Sequence, residues 1–254
     1  MDLSGKNVVY VGLGGIGFEA CKQLMEKNLA NLAVLDLAEN PENIQSIQAI
    51  DKATKVCFIK CDVTNKASIK EALAEAVNLF QFIDVLVNGA GVIADRNVEL
   101  TINVNLIGLI NTTLEALPYM DKEQKGRGGV VLNIASVLGL EPCGCICVYS
   151  ASKFGVVGFT RSLSDPFYYN RTGVAVVGLC PGFTSTAMTT APKISDTFEY
   201  SKPLTDEVFS LPFQPAAIAG EHLVQVIEKA ENGSHWITDR CNLTKVDFKT
   251  FWEA

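Results

Sequence analysis

The sequence predicts a single α/β domain in which a parallel sheet of about seven strands carries helices on both faces. Short apolar runs alternate with stretches of helical period from one end of the chain to the other, with no linker and no internal repeat. Strands that alternate with helices in this way form parallel, doubly wound sheets. The chain has 254 residues and 48% of them are hydrophobic, so it can bury a large core.

Composition and charge argue against several classes of protein. The net charge is −7 and the basic residues are scattered, so the sequence lacks the basic face of a nucleic-acid binder. No apolar run reaches the roughly 18 residues that a membrane span requires. Residues 1–6 lead directly into an apolar strand and lack the pattern of a signal peptide. We therefore expect a cytoplasmic protein that binds neither nucleic acid nor membrane.

The eight cysteines form no C-x-x-C pair. Cys143, Cys145 and Cys147 alternate, which in an extended segment places all three side chains on one side. A soft-metal site is the alternative interpretation, but no histidine or further cysteine pair stands near this segment. Small buried thiols in a reducing compartment fit the pattern better, and we expect no metal site.

A glycine-rich turn follows the first apolar run, residues 7–11. Its residues are Gly12, Leu13, Gly14, Gly15, Ile16 and Gly17, the pattern G-x-G-x-x-G, and a stretch of helical period comes next. Gly12 permits a tight turn, Gly14 lets the backbone approach a pyrophosphate, and Gly17 lets the helix pack on the sheet. Between a strand and a helix, this pattern predicts a dinucleotide site in a Rossmann-type domain.

Asp36 ends the second apolar run and follows Gly17 by 19 residues. A carboxylate at this place accepts both ribose hydroxyls of NAD and repels the 2′-phosphate of NADP. The alternative is a polar residue that merely closes a strand. The spacing favours the NAD interpretation.

Two further strands end in residues suited to the same edge of the sheet. Residues 56–61 lead to Asp62 and Val63, and residues 83–87 lead to the turn Asn88, Gly89, Ala90 and Gly91. Ligands of doubly wound sheets bind beyond the carboxyl ends of the strands. Both turns are therefore expected on the cofactor side.

Residues 97–120 form a long helical stretch that contains Asn105. Asparagine is unfavourable inside a helix because its amide competes with the backbone hydrogen bonds. A functional interpretation is a local break that frees a carbonyl group. The alternative is an exposed polar face.

Tyr149 and Lys153 are four residues apart, so a helix places them on one face with Cβ atoms roughly 5–6 Å apart. A phenol ionises near pH ~10. One positive charge ~6 Å away at an effective dielectric constant of ~20 contributes about 2.8 kcal/mol, or about 2 pKa units. The pair predicts a tyrosine base assisted by a lysine, although an ordinary amphipathic pair has the same spacing.

The remaining segments complete the predicted domain. A strand over 130–136 ends at Ser136, and another over 174–180 leads into Pro181, Gly182 and Thr184. Residues 1–182 are expected to form the cofactor-binding and catalytic core. Residues 183–214 have no strong period and predict a substrate loop or lid. Residues 215–254 predict a helix, a last strand over 235–238, and a tail.

Together these motifs resemble those of the short-chain dehydrogenase/reductase family. The resemblance rests on the glycine turn, Asn88 to Gly91, Ser136 thirteen residues before Tyr149, Tyr149-x-x-x-Lys153, and Pro181-Gly182. Details resemble the insect-type alcohol dehydrogenases: Lys6-Asn7-Val8 before the glycine turn, Asn88-Gly89 where other members have two asparagines, and Gly128-Gly129-Val130 before the serine strand. The approach to Gly12 is one residue shorter than in that subfamily.

The resemblance implies NAD-dependent oxidation of a primary or secondary alcohol to an aldehyde or ketone, and the reverse, without a metal. Ser136 and Tyr149 would reach the alcohol oxygen, and Tyr149 and Lys153 would also contact the cofactor. Lys153 would lower the pKa of Tyr149 and bond the nicotinamide ribose, and Asn105 would anchor a water that continues a proton relay from Lys153. The implied contacts are Asp62 and Val63 with adenine, Pro181, Gly182 and Thr184 with the nicotinamide end, and Leu138, Cys143 and Phe183 with the substrate. A homodimer through residues 97–120 and 149–168 is also implied.

Two alternatives stay open on the same residues. Tyr149 to Leu163 followed by Pro181-Gly182-Phe183 also resembles the 15-hydroxyprostaglandin dehydrogenases, which points to a larger, lipid-like alcohol. A catalytically idle binding or storage protein of the family is the other alternative. The intact Ser136, Tyr149 and Lys153 argue against it.

Overall fold

A computed structural model describes residues 1–124, 126–190 and 196–249, and its centre is a β-sheet. The strands are β1 (Asn7–Val11), β2 (Asn31–Asp36), β3 (Lys55–Lys60), β4 (Val85–Asn88), β5 (Gly129–Ile134), β6 (Val174–Pro181), β7 (Thr184–Ser185), β8 (Gln214–Pro215), β9 (His235–Asp239) and β10 (Asn242–Lys245). Eight of them form the main sheet in the order β10-β9-β6-β5-β4-β1-β2-β3, while β7 and β8 pair separately.

Helices cover both faces of this sheet. The α-helices are α1 (Gly15–Met25), α2 (Pro41–Gln48), α3 (Lys66–Phe80), α4 (Val98–Ile102), α5 (Leu109–Met120), α6 (Cys147–Leu163), α7 (Pro166–Thr172), α8 (Ala187–Thr190), α9 (Lys202–Val208) and α10 (Ala216–Lys229). Short 3₁₀ turns cover Lys122–Gln124, Val137–Gly139 and Glu199–Ser201, and a π-helical segment covers Asn103–Gly108.

The predicted doubly wound parallel sheet is confirmed, with one addition. All neighbouring pairs from β3 to β9 are parallel, and β1 pairs with both β2 and β4. The chain order reverses at β1, so the carboxyl ends of β1 and β4 border the crevice where such sheets bind ligands. The unpredicted β10 runs antiparallel to β9. Its polar sequence Asn-Leu-Thr-Lys gave no apolar signal, because it is an exposed edge strand.

Alternating side chains of the strands feed two cores. Val8 and Tyr10 face the core under α1 and α10, while Val9 and Val11 face the core under α3 and α5. Helices α1 and α10 lie in close contact: a Cβ atom on Gly220 would lie 2.7 Å from the backbone nitrogen of Ala20. The central strands are buried on both sides, which is why they appear in the sequence as continuous apolar runs.

The two long helices predicted over 97–120 and 149–168 are both interrupted. The first contains the π segment, and by length and composition alone Val98–Met120 could cross a membrane, with a mean hydropathy of 1.2 and 39% of the window buried. Core helices have the same properties, and buried Thr112 and Thr113 pack this stretch into the domain. The second helix ends at Leu163, and α7 begins after Asp165 because Pro166 cannot continue the preceding helix.

Residues 183–214 are more regular than the predicted loop. They contain α8 and α9, and Pro203 lies in the first turn of α9, where its missing N–H is harmless. Phe183 contacts Phe209 and Phe213 edge-on, with ring centroids 5.8 and 5.5 Å away. Pro192 lies outside the described residues. The action of this segment as a lid stays a prediction.

Candidate active site

The turn between β1 and α1 requires glycine at two positions. Gly12 has φ +89°, and a Cβ atom on it would lie 2.4 Å from the backbone nitrogen of Ala90. A Cβ atom on Gly17 would lie 2.6 Å from the carbonyl oxygen of Gly12 and 2.9 Å from the ring of Tyr10. Gly14 is different, since nothing lies within 4 Å of its Cβ position. The backbone is therefore tightly packed at Gly12 and Gly17 and open to a ligand at Gly14.

The N-terminus of α1 is suited to an anion. Its N-cap residue, Gly14, makes no side-chain capping hydrogen bond, and the first turn contains no acidic residue. The first intrahelical bond runs from the Phe18 N–H to the Gly14 carbonyl. The preceding N–H groups have no partner within the helix, and the helix dipole adds positive potential there. These features fit a pyrophosphate group.

Asp36 lies beside this turn and supports it. Its Oδ2 accepts a hydrogen bond from the Leu13 N–H at 2.7 Å, and its Oδ1 accepts one from the Leu37 N–H at 2.6 Å. A carboxylate has about four acceptor sites, so the two oxygens retain capacity for ribose hydroxyls. The residue thus closes its strand and still presents a negative charge beside the glycine turn.

Asp62 and Val63 follow β3, at the edge of the sheet beyond Asp36. Asp62 accepts hydrogen bonds from the backbone and hydroxyl of Thr64, at 2.9 and 2.7 Å. Val63 packs against the core under α3. Both lie at the carboxyl end of a parallel strand, as the sequence predicts. Neither borders the main cavity described below.

The turn after β4 divides its four residues between the core and the cavity. Asn88 is buried, and its Nδ2 donates to Thr113 Oγ1 and Asn133 Oδ1, both at 2.9 Å. The Asn88 amide therefore links β4 to β5 and α5, and the predicted contact of Asn88 with the cofactor stays a prediction. Ala90 also packs against the core, whereas Gly89 and Gly91 border the cavity.

Ser136, Tyr149 and Lys153 converge at the end of β5. The Ser136 hydroxyl interacts with the Tyr149 phenol, and it also accepts a hydrogen bond from the Leu138 N–H at 3.1 Å. The Lys153 Nζ donates to the Ile134 carbonyl at 2.9 Å and lies 5.6 Å from the centroid of the Tyr149 ring. The end of β5 and helix α6 therefore bring the hydroxyl, the phenol and the ammonium to one place.

Burial dominates the electrostatics of this group. It raises the pKa of Tyr149 to about 12, opposed only by the hydrogen bond with Ser136. It lowers the pKa of Lys153 to about 8, opposed by the nearby Cys180. In the protein without NAD, desolvation of the phenolate dominates, and the predicted lowering of the Tyr149 pKa by about 2 units through the Lys153 ammonium does not appear among the causes of its shift.

Asn105 lies in the π segment and is fully buried, so the exposed-face alternative is wrong. Its Oδ1 accepts from the Val92 N–H at 2.8 Å, and its Nδ2 donates to the Val92 carbonyl and to Ser152 Oγ at 2.9 and 3.1 Å. The Ser152 hydroxyl donates in turn to the Tyr149 carbonyl at 2.6 Å. The local break is present, and the side chain ties the turn after β4 to α6. The anchored water stays a prediction.

One cavity of about 210 Å³ joins the glycine turn to Tyr149 and Lys153. It is lined by Gly12, Gly14, Gly15, Ile16, Gly17, Gly89, Gly91, Ile93, Ile134, Ala135, Ser136, Val137, Leu138, Ile146, Tyr149, Lys153, Pro181, Gly182, Phe183, Thr184, Thr186, Ala187, Met188, Thr189 and Phe209. Leu138 and Phe183 belong to this wall. Cys143 does not: it lies behind the wall, packed with Cys145, Ile146 and Tyr149.

Comparison with known proteins identifies the family. Residues 6–195 match the family model described as short chain dehydrogenase. The chain belongs to the short-chain dehydrogenase family. It is 56% identical to alcohol dehydrogenase 2 of Ceratitis cosyra, over 100% of this chain and 98% of that one. It is 56% identical to alcohol dehydrogenase 1 of Ceratitis capitata, over 100% and 99% of the two chains. The predicted family and its insect-type branch are both confirmed.

More distant relatives extend the comparison. An alcohol dehydrogenase-related 31 kDa protein of Drosophila immigrans is 45% identical over 99% of this chain and 92% of its own. A levodione reductase structure superimposes with a TM-score of 0.81 at 22% identity, over 93% and 97% of the two chains. A short-chain dehydrogenase from Burkholderia phymatum in complex with NAD gives a TM-score of 0.79 at 20% identity, over 94% and 90%. At these identities, the two structures support the fold of a short-chain dehydrogenase.

The structure of this short-chain dehydrogenase also shows what the motifs did not. Ile93, Met188 and Phe209 join the cavity wall, although their segments carry no motif. Only the position of Ile93, two residues after Gly91, could have indicated its role. Asp95, which binds the backbone of Tyr149 and Val148, was missed entirely. A lone aspartate in a loop has no sequence signal for such a contact.

The three alternating cysteines do not share one side. Cys143 and Cys145 are buried with their Sγ atoms 3.3 Å apart, whereas Cys147 is exposed. The segment is not extended, because residues 144–146 form a turn and a bend and Cys147 begins α6. Burial raises the pKa of the Cys145 thiol to about 12, which keeps it protonated at neutral pH.

Proposed function

We propose that this protein is an NAD-dependent alcohol dehydrogenase that converts a primary or secondary alcohol to an aldehyde or ketone, and the reverse, by a Ser-Tyr-Lys mechanism without a metal. The observation that carries the proposal is the convergence of Ser136, Tyr149 and Lys153 at one end of a cavity whose other end is the open N-terminus of α1. The names of the Ceratitis relatives and the NAD in the Burkholderia structure support it.

The described residues fit NAD at three places. The free N–H groups at Gly15, Ile16 and Gly17 suit the pyrophosphate, and the open surface at Gly14 lets it approach. The carboxylate of Asp36 suits the ribose hydroxyls of the adenosine half, with Asp62 and Val63 beside the adenine. Pro181, Gly182 and Thr184 border the cavity near Tyr149, where they would hold the nicotinamide end.

The reaction needs a proton acceptor and a group that holds the alcohol oxygen. Tyr149, once ionised to the phenolate, accepts the hydroxyl proton at its oxygen, and the Ser136 hydroxyl donates a hydrogen bond to the substrate oxygen. When bound, NAD⁺ supplies the hydride acceptor and a positive charge. Lys153 contributes the second positive charge. Both charges oppose the burial that holds the pKa of Tyr149 at about 12 in the protein alone.

The cavity wall favours a second candidate substrate, a larger lipid-like alcohol. The side chains of Ile93, Leu138, Ile146, Phe183, Met188 and Phe209 make the substrate side strongly apolar. A long alkyl chain would bury more area there than a two- or three-carbon alcohol does. The two substrate classes differ only in how far this wall is filled.

The test is NADH formation, followed by absorbance at 340 nm, with a series of alcohols from 2-propanol to long-chain secondary alcohols. The proposal expects turnover with NAD and a kcat/KM ranking that identifies the substrate class. If NAD binds but no alcohol yields NADH, the result would instead support a catalytically idle binding protein.

We further propose that the protein acts in the cytoplasm as a homodimer. Exposed apolar side chains support the dimer: Leu100 on α4, Leu114 on α5 and Phe154 on α6 are 40%, 48% and 42% exposed. Such a surface, repeated on a second copy by a two-fold axis, would form a self-complementary interface.

A further inference from the structure

Asp95 is a buried carboxylate at the start of the catalytic helix. It follows β4 in the chain, is only 2% exposed, and belongs to no motif of the sequence. Its Oδ1 accepts a hydrogen bond from the Tyr149 N–H at 2.8 Å. Its Oδ2 accepts from the Val148 N–H at 2.8 Å and from the Thr197 hydroxyl at 2.7 Å.

Asp95 supplies a cap that α6 itself lacks. The N-cap residue of α6, Ile146, makes no side-chain capping bond. Asp95 and Thr197 replace it, since the Cys147 N–H donates to Thr197 Oγ1 at 2.9 Å and the next two N–H groups donate to Asp95. A negative charge near the N-terminus of a helix also interacts favourably with the positive end of the helix dipole.

Thr197 joins the same cap to the substrate side of the molecule. Its N–H donates to the Cys145 carbonyl at 2.9 Å. The neighbouring Asp196 accepts from the Thr205 hydroxyl, and Thr205 lies in α9. Phe209 caps the end of α9, where its N–H donates to the Thr205 carbonyl at 2.8 Å. Hydrogen bonds, together with the peptide link between Asp196 and Thr197, therefore connect Phe209 to the catalytic helix.

The three segments that meet at Asp95 each reach the cavity. Ile93 precedes Asp95, Ile146 and Tyr149 surround the start of α6, and Phe209 ends the segment that begins at Asp196. A shift of the contact at Asp95 therefore moves the base and the substrate wall relative to each other.

We propose that Asp95 is a positioning residue, which fixes Tyr149 and couples it to the substrate segment 196–209. This inference rests on the proposed dehydrogenase activity. Asp95 does not touch the reacting atoms, so its effect acts through the position of the phenol. Misplacement of a catalytic group by about 1 Å costs roughly 100-fold in rate.

The test compares Asp95→Asn with Asp84→Asn. Asp84 is equally buried, at 2% exposure, and also accepts a backbone hydrogen bond, from the Asn7 N–H at 2.9 Å. It lies next to β4 at the opposite, amino-terminal end of the sheet, away from the cavity. Asp95→Asn places an NH₂ group or a weaker acceptor against the N–H groups of α6. We expect kcat to fall at least about tenfold, a higher KM for alcohol, and an unchanged Kd for NAD.

A second pair of variants tests the positioning role of Asp95 even if Asp95→Asn does not fold. Thr197→Val removes the hydroxyl that joins Asp95 to Cys147, whereas Thr197→Ser retains it. We expect Thr197→Val to lower kcat in the same direction and Thr197→Ser to restore most of it. A purely structural cap would lower the melting temperature without changing kcat per folded molecule.

The outcomes separate this inference from the proposed function. If the wild type forms no NADH with any alcohol, the proposed function fails. If the wild type is active but Asp95→Asn matches Asp84→Asn in kcat and alcohol KM, the positioning role is overturned. If Asp95→Asn does not fold, equal kcat values for Thr197→Val and Thr197→Ser overturn it as well.

Discussion

Lys153 holds a positive charge where the fold disfavours one. Its side chain is 4% exposed, and burial lowers its pKa from 10.5 to about 8. Burial therefore disfavours the ammonium relative to the unfolded state, and this destabilisation is fully present below about pH 8 and is lost as the pH rises to 10.5. A residue retained at such a cost is expected to serve chemistry, and here the ammonium lies beside the half-buried Tyr149 side chain.

Lys153→Met tests this cost directly. Removing the buried charge should raise the free energy of unfolding by about 3 kcal/mol at pH 7. Loss of the hydrogen bond to the Ile134 carbonyl should lower it by about 1 kcal/mol. We expect the variant to be about 2 kcal/mol more stable than the wild type at pH 7. The gain shrinks as the pH rises from 8 to 10.5, since the wild-type amine then becomes neutral in both states. Denaturant unfolding at several pH values measures it, with exposed Lys60→Met as control. A variant less stable at pH 7 would contradict the assignment.

Asp36 sets a second expectation at the residue scale. Its carboxylate lies beside the glycine turn and cannot share its surroundings with a 2′-phosphate. We expect the wild type to prefer NAD over NADP. Asp36→Asn keeps an oxygen for the Leu13 N–H but removes the charge, so it should reduce the ratio of the two kcat/KM values at least about tenfold. Equal kcat/KM for both cofactors in the wild type would rule out this role.

The start of α1 shows how one helix combines a structural requirement with a binding surface. Gly17 touches the Gly12 carbonyl and the Tyr10 ring so closely that no side chain fits. The same contact packs the helix closely against the sheet, and the N–H groups of its first turn point towards the cavity. Packing and anion binding therefore depend on one close approach.

Gly17→Ala should damage both properties together. The added methyl group must displace backbone at 2.6 Å, so we expect a loss of stability of about 1–3 kcal/mol. We also expect weaker NAD binding, because the helix N-terminus moves with the displaced turn. Calorimetry for NAD and denaturant unfolding measure the two effects. Wild-type values for both would show that the helix does not pack as described.

At the scale of the whole molecule, the carboxyl ends of the parallel strands bring the glycine turn, Asp36 and Ser136 to one edge of the sheet. The proposed dimer would join two such molecules. Leu114 on α5 is 48% exposed and Leu79 on α3 is 43% exposed, yet only Leu114 belongs to the proposed interface. We expect sedimentation to show twice the chain mass of 27.4 kDa for the wild type. Leu114→Glu should yield monomers, while Leu79→Glu should not. A wild-type monomer at micromolar concentration would exclude the interface.

Much of this arrangement was predictable because buried parallel strands leave continuous apolar runs. The spacing of Gly12 to Gly17, and of Tyr149 to Lys153, depends only on local geometry, so the sequence located both sites. Asn88, Cys143 and Asp95 depend on tertiary placement: one faces the core, one lies behind the cavity wall, and one reaches across to another helix. The sequence also did not predict that burial dominates the pKa of Tyr149, because the extent of desolvation depends on the complete fold.

The central claim is that Tyr149 is the proton acceptor, and a pair of tyrosine variants tests it most directly. Tyr10→Phe removes a buried hydroxyl that has no hydrogen-bond partner among the described residues, so it is a matched control. We expect Tyr149→Phe to bind NAD with nearly wild-type affinity and to form NADH at least about 100-fold more slowly, while Tyr10→Phe keeps full activity. Turnover by Tyr149→Phe near the wild-type rate would contradict the mechanism.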